Sequence, residues 1–151
     1  MPKNFEKFVV SQVAVLIRGD KCLILEFSDM PGRWGLPGGR LDVGEVGEQA
    51  FRREIKEELG LANFENLGVV DYETWHITKS TDMKMGTPLC GITNLIKNDE
   101  DEIKLSHEHS QFKWVTGDEL EDYDFIWLAA ARMLKKGFAY KKLLDQANEG
   151  K

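Results

Sequence analysis

Cysteine is scarce: of 151 residues, only Cys22 and Cys90 carry a thiol, far apart and without a CxxC spacing. That excludes a disulfide framework and a zinc site built from paired cysteines. Both lie in apolar, strand-like runs, so they are expected as small core residues. Basic charge is also short, with Lys+Arg 20 against Asp+Glu 26 and a formal net charge of −6. A broad basic face for a nucleic-acid polymer is therefore not expected. A small phosphate-bearing ligand is still allowed, because a bound divalent cation reverses the local field. No Pro/Ser-rich linker, internal repeat or low-complexity tract divides the chain. Long apolar runs are missing too, since Phe125 to Ala131 ends at Arg132 and Val13 to Ile17 is brief. Lys3 and Lys7 ahead of Phe8 to Ile17 imitate a secretory leader, but Ser11 and Gln12 interrupt it and no clean cleavage site follows. The expectation is one cytoplasmic domain over residues 1–151, an enzyme or a binding module, with no membrane partner.

What is present is a mixture of strand and helix patterns. Phe8 to Arg18 and Lys21 to Phe27 read as a hairpin across Gly19-Asp20. Ser28 to Gly44 holds two prolines and five glycines and reads as a long loop of the functional kind. Glu45 to Leu59 is the clearest helix, with Phe51, Ile55 and Leu59 as its core-facing stripe and Gly60 as a left-handed cap. Gly68 to Ile77 and Pro88 to Ile96 are expected as strands joined across Thr78 to Gly86, and Gln111 to Val115 as a short strand. Thr116 to Glu119 has capping-box spacing. An amphipathic helix is expected over Asp124 to Lys136, stopped by Gly137, with a last helical segment from Phe138 to about Gln146. The class is α/β, layered.

On the first helix, Glu54, Glu57 and Glu58 are related by i,i+3 and i,i+4 and share one face. Like charges so placed repel by about 0.2–0.5 kcal/mol per pair. A solvated face tolerates that, and so does a face that holds a cation. The helix follows Pro37-Gly38-Gly39, where missing side chains let backbone approach a ligand closely. Carboxylates with backbone carbonyls make a hard-oxygen site suited to Mg²⁺ or Mn²⁺ rather than zinc.

The spacing decides between the two. Gly39, Glu45, Arg53-Glu54, apolar Ile55, Glu57-Glu58, Gly60 and apolar Leu61 match without a gap the 23-residue signature G-x5-E-x7-R-E-U-x-E-E-x-G-U, with U apolar. The chain thereby resembles the Nudix hydrolases, and Trp34-Gly35-Leu36-Pro37-Gly38 resembles their usual lead-in. The resemblance implies an α/β/α sandwich around a mixed sheet and hydrolysis of a pyrophosphate bond in a nucleoside diphosphate joined to another group. It implies metal ligation by Glu54, Glu57 and Glu58, with backbone help at Gly38-Gly39, and orienting roles for Arg53 and Glu45. The cofactor implied is Mg²⁺, with Mn²⁺ as the alternative. Glu54 is the choice for general base, although some members use a residue of a later loop.

Leu105 to His109, ahead of Phe112 to Val115, resembles a late motif of several Nudix branches in which a glutamate reaches the metal. Glu108 is the first candidate and Glu102 the second, against the plain reading of a solvated acidic loop. His107 and His109 are expected as surface histidines. Arg33 for a distal phosphate, and Tyr72, Trp75 and Phe27 for stacking on a base, are the substrate candidates, against the plain reading of strand packing for the aromatics and a solvated loop side chain for Arg33. Trp34, Trp114 and Trp127 are expected as scaffold. Nucleoside triphosphates rank first as substrates, ahead of dinucleoside polyphosphates and nucleotide sugars. The proline expected some fifteen residues after the signature in ADP-ribose cleavers is replaced around Ile77, and Tyr72 lies too close for the tyrosine of many dinucleoside polyphosphate hydrolases. A non-catalytic nucleotide-binding regulator is the alternative class, disfavoured because such modules commonly lose a metal glutamate. The resemblance leaves a homodimer open. If Glu54 is the base, Glu54→Gln lowers kcat by about 10²–10⁴-fold; a near-normal kcat in steady-state assays removes that assignment and leaves Glu57 and Glu58 as ligands.

Overall fold

A computed structural model describes residues 2–78 and 83–150. In chain order the strands are β1 (Val9–Arg18), β2 (Lys21–Phe27), β3 (Arg33–Gly35) and β4 (Gly38–Arg40), followed by helix α1 (Gly47–Leu59). Then come β5 (Glu65–His76), β6 (Pro88–Lys97), β7 (His109–Thr116), a 3₁₀ turn over Gly117–Asp122, β8 (Asp124–Phe125) and helix α2 (Ala130–Glu149). The sheet is mixed: β1 runs parallel to β6 from Val9↔Leu89 to Leu16↔Ile96, and the remaining pairings are antiparallel except β3 with β8.

Alternation along the hairpin builds a layer on each face. Ala14, Leu16, Leu23 and Leu25 point to one side, where they meet Phe51, Ile55 and Leu59 of α1. Val13, Val15, Ile17, Cys22 and Ile24 point to the other, where they meet Met133 and Leu134 of α2. The result is the α/β/α layering expected of the fold. Burial pushes the Cys22 thiol up to about 12, as befits an inert core residue. Cys90, expected in the core as well, is only half-buried.

β1 and β2 pair with each other only next to their turn, at Ile17↔Cys22 and Arg18↔Lys21. Beyond that they part: β1 takes β4 as neighbour, at Ser11↔Arg40 through Val13↔Gly38, while β2 takes β7 and β3. The glycine-rich segment is therefore not one long loop; its two short strands are sewn to the two separating strands. The Ala14 amide donates to the Pro37 carbonyl at 2.8 Å, so the segment is pinned at the place where the sheet opens.

Other expectations need correction. α1 starts at Gly47, which leaves Glu45 outside the helix; the cap residue Val46 has no side chain able to hold the first turn. Gln12, buried in β1, donates to the Gly47 carbonyl at 2.7 Å and so ties the start of α1 to the sheet. Thr116 makes no capping hydrogen bond, although a 3₁₀ turn does follow it. Asp124 and Phe125 are strand, paired with Arg33 and Trp34. The last helix is a single rod in which Gly137 is interior, since nothing beyond its weak propensity breaks the helix there. In the connection expected over Thr78 to Gly86, residues 79–82 lie outside the described residues. Among the described residues no helix is long and apolar enough to cross a membrane.

α2 is held by packing and by charge. Asp71 of β5 is buried and accepts from Arg132 and Lys136, each at 3.0 Å. Burial alone would raise its carboxyl, but the two cations outweigh that and hold it below its ordinary value. Gly137 lies against the fully buried Val15: a Cβ at 137 would stand 2.6 Å from a Val15 methyl. Gly137→Ala gains about 1 kcal/mol of helix propensity and loses about 1–3 kcal/mol to overpacking. The expected outcome is a lower urea midpoint for Gly137→Ala, and a Gly137→Ala/Val15→Ala double variant less destabilised than the sum of the singles.

Candidate active site

Arg53 organises the loop ahead of α1. Its guanidinium grips Glu45 with both arms, at 2.7 and 2.8 Å, and donates to Glu54 at 3.0 Å and to Glu57 at 3.2 Å. Glu45 also accepts from the Asp42 amide at 2.9 Å. The loop ahead of α1 is thus clipped to the helix by a bidentate pair, the strongest geometry available to two side chains of opposite charge. Hydrogen bonds from Arg53, then from the Asp42 amide, bring the Glu45 carboxyl down to about 2.

The glutamates one turn further inward are held differently. Glu58 is buried and accepts from the Gly38 amide at 2.7 Å. Burial pushes its carboxyl up to about 8 despite that hydrogen bond, with Glu54, Glu108 and Glu57 adding to the rise. Burial also raises Glu54 against the pull of Arg53, and Glu57 and Glu108 contribute. Of the late acidic segment it is therefore Glu108, not Glu102, whose charge acts on the helix carboxylates. Glycines allow this crowding. A Cβ on Gly39 would run into the Glu54 carboxylate, and one on Gly38 into the Gln12 carbonyl.

Among the described residues no three His, Cys, Asp or Glu side chains are already gathered at ligand spacing. Arg53 draws on Glu54 and Glu57, and the Gly38 amide holds Glu58. The donor chemistry nevertheless fits a hard divalent cation. Glu54, Glu57 and Glu58 present only carboxylate oxygens, and their mutual repulsion is what a cation relieves.

A cavity of about 600 Å³ adjoins this cluster, with Gly38, Gly39 and Glu58 in its wall. It lies where β1 and β2 have separated. Phe27, Trp75 and Trp127 contribute rings to it. Two of those rings rest on backbone: a Cβ on Gly35 would stand 2.7 Å from the Phe27 ring, and one on Gly91 would stand 2.9 Å from the Trp75 ring. The structure brings Phe27 and Trp75 to the cavity but not Tyr72 or Arg33. Tyr72 is 71% exposed on the other side of its strand, as alternation from Trp75 requires. Arg33 is turned toward Asp124, at 3.2 Å, by the β3–β8 pairing. Trp34 is core and Trp114 packs beneath Arg18, as scaffold residues should. Trp127, expected as scaffold, lines the cavity. His107 is exposed, whereas His109, expected at the surface, is buried in the cavity wall. Nothing in an HxH spacing separates those two; only the register of β7 does.

Known proteins are similar to this chain in sequence and in fold. The NUDIX domain family matches residues 7–136. The nucleoside triphosphatase NudI of Salmonella paratyphi B is 34% identical over 127 residues, covering 74% of this chain and 85% of that protein. An Ap4A hydrolase of C. elegans, solved as a binary complex, superposes with a TM-score of 0.72 at 26% identity, covering 89% of this chain and 98% of that one. A MutT protein of Methanosarcina mazei shares the fold at 18% identity and a TM-score of 0.71, covering 93% and 99%.

The clip makes a prediction. Arg53→Lys keeps the charge but loses the fork on Glu45, so kcat is expected to fall by about 10–100-fold. Because Glu45 is held down, the pair is fully formed above the ordinary glutamate value of 4.5 and is lost as pH falls toward 2. Thermal unfolding should accordingly separate parent and Arg53→Lys near neutrality and bring them together in acid.

Proposed function

The chain belongs to the NUDIX domain family of pyrophosphohydrolases, and within that family we propose that it hydrolyses nucleoside triphosphates in a Mg²⁺-dependent reaction. The observation that carries this reading is the juxtaposition of Glu54, Glu57, Glu58 and the Gly38-Gly39 backbone with an aromatic-walled cavity. Phosphates belong at the carboxylate end and a flat base among the rings. The similarity to a nucleoside triphosphatase over 74% of the chain supports the triphosphate class.

Glu54, Glu57 and Glu58, with backbone at Gly38-Gly39 and Glu108 from the loop before β7, would hold the metal. A divalent cation bound there would supply positive charge against the phosphates and Lewis acidity toward the attacking water. The chain's own residues do the rest. Glu54, with its carboxyl raised by burial, takes the proton of the attacking water as its oxygen bonds to phosphorus. The bridging P–O bond breaks in the same displacement and its electron pair leaves with the departing phosphate group. Arg53 holds Glu54 in line and Glu45 holds Arg53. Phe27, Trp75 and Trp127 exclude water from around the base.

Dinucleoside polyphosphate hydrolysis is the second reading, favoured by the likeness to the Ap4A hydrolase at 26% identity. A purely regulatory module is disfavoured by the complete set of carboxylates. The deciding experiment incubates the protein and Mg²⁺ with nucleoside triphosphates, dinucleoside polyphosphates and nucleotide sugars, and identifies products by mass spectrometry. Turnover of a triphosphate, abolished in Glu57→Gln, is expected, and the products name the bond broken. Turnover confined to another class overturns the substrate assignment, and a fully active Glu57→Gln overturns the metal site.

A further inference from the structure

The cavity wall contains a buried polar side chain whose hydrogen-bonding capacity is unused. His109 is 5% exposed, and neither Nδ1 nor Nε2 has a partner among the described residues. A buried polar atom in that condition is destabilising unless a ligand or water completes it. The surroundings say what kind of ligand. The imidazole stands 5.0 Å from the Phe27 ring, tilted by 49°, and Phe27 meets Trp127 edge-on at 6.5 Å. Glu58 marks the carboxylate end of the cavity, and the rings of Phe27 and Trp127 beside His109 accept a flat, uncharged ring system.

The backbone places His109 there by an irregularity. β2 and β7 pair regularly as far as Glu26↔Gln111, and then Phe27 pairs with His109, leaving Ser110 without an opposite residue. The Ser110 hydroxyl donates to Glu26 at 2.7 Å and pins the slip. Bulges beside sites commonly re-aim a side chain in this way.

We propose that His109 determines base specificity, hydrogen-bonding through a ring nitrogen to the polar edge of a nucleobase held among Phe27, Trp75 and Trp127. This rests on the nucleotide reading above. Aromatic walls accept the π-face of any base and so do not choose between bases. An imidazole offers a ring N–H and a ring-nitrogen acceptor, the complement of carbonyl, imino and amino groups on a base edge. Discrimination by such a group is strong, because a mismatched base leaves it unpartnered.

The test uses adenosine, guanosine, cytidine and uridine 5′-monophosphates, which have no anhydride bond, and is therefore independent of hydrolysis. Binding is followed by tryptophan fluorescence and by the ¹⁵N signals of the His109 ring. One base is expected to bind at least about tenfold more tightly than the others, with movement of those signals. His109→Phe should collapse the spread to within about twofold, and His109→Gln, which still hydrogen-bonds, should keep it. An unchanged spread in His109→Phe, equal affinities or no binding in the parent, or ring signals that do not move at saturation, overturns the proposal. Should His109→Phe fail to fold, the ring signals of the parent decide alone. Base-selective binding without any triphosphate turnover would overturn the hydrolytic reading and leave the role of His109 standing.

Discussion

Four carboxylates of one small region, those of Asp42, Glu45, Glu54 and Glu57, converge on the single guanidinium of Arg53, at separations from 2.7 to 3.4 Å. A helix that displays acidic side chains at i, i+3 and i+4 on one face is under repulsion, and the loop before it has little side-chain packing to hold its course. One planar cation addresses both problems. Its fork fixes the loop through Glu45, and its remaining arm lends charge to the helix. A lysine would supply the charge but not the two parallel hydrogen bonds that set the angle between loop and helix. Glu54 and Glu57 keep their positions because Arg53 keeps its own, while Glu58, in the cavity wall, is held by the Gly38 amide.

The second requirement is space, and the sheet supplies it by coming apart. Two antiparallel strands that stayed paired along their length would leave no opening between the helical layers. Here the hairpin separates after two residue pairs, and each strand completes its hydrogen bonding with a different short partner. Backbone polar groups stay satisfied while an opening forms. Gly38 and Gly39 sit at that opening because any side chain there would strike the Gln12 carbonyl or the Glu54 carboxylate. Acidic helix, glycine turn and cavity therefore occupy one location for connected reasons.

Much of this was legible in the sequence, and the limits are physical. The hairpin announced itself through β-branched, apolar runs on either side of Gly19-Asp20, which is what strands buried on both faces require, and the first helix through its Phe51, Ile55, Leu59 stripe. The family and its carboxylates were legible because a spacing of seven fixed residue types is highly specific. Arg33, Tyr72, Trp127 and His109 were not, since each depends on pairing that only the folded sheet fixes. Tyr72 and Trp75 differ by three positions on one strand and so face opposite ways. Gly137 misled because a glycine in a helix signals a stop when read locally, whereas here it signals contact with Val15 across the layer. Glu45 lies outside the helix, where its carboxylate accepts from Arg53 and from the Asp42 amide.

The rings of Phe27 and Trp75 rest on Gly35 and Gly91, so the walls of the cavity are seated on bare main chain. A ring seated in this way cannot sink further, and its height above the sheet is set by van der Waals contact with peptide atoms. Replacing the ring widens the chamber. Giving the glycine beneath it a side chain drives the ring inward and narrows the chamber instead. Gly35 and Gly91 thus act as spacers for the walls, and the width of the chamber depends on what lies beneath the rings as well as on the rings themselves.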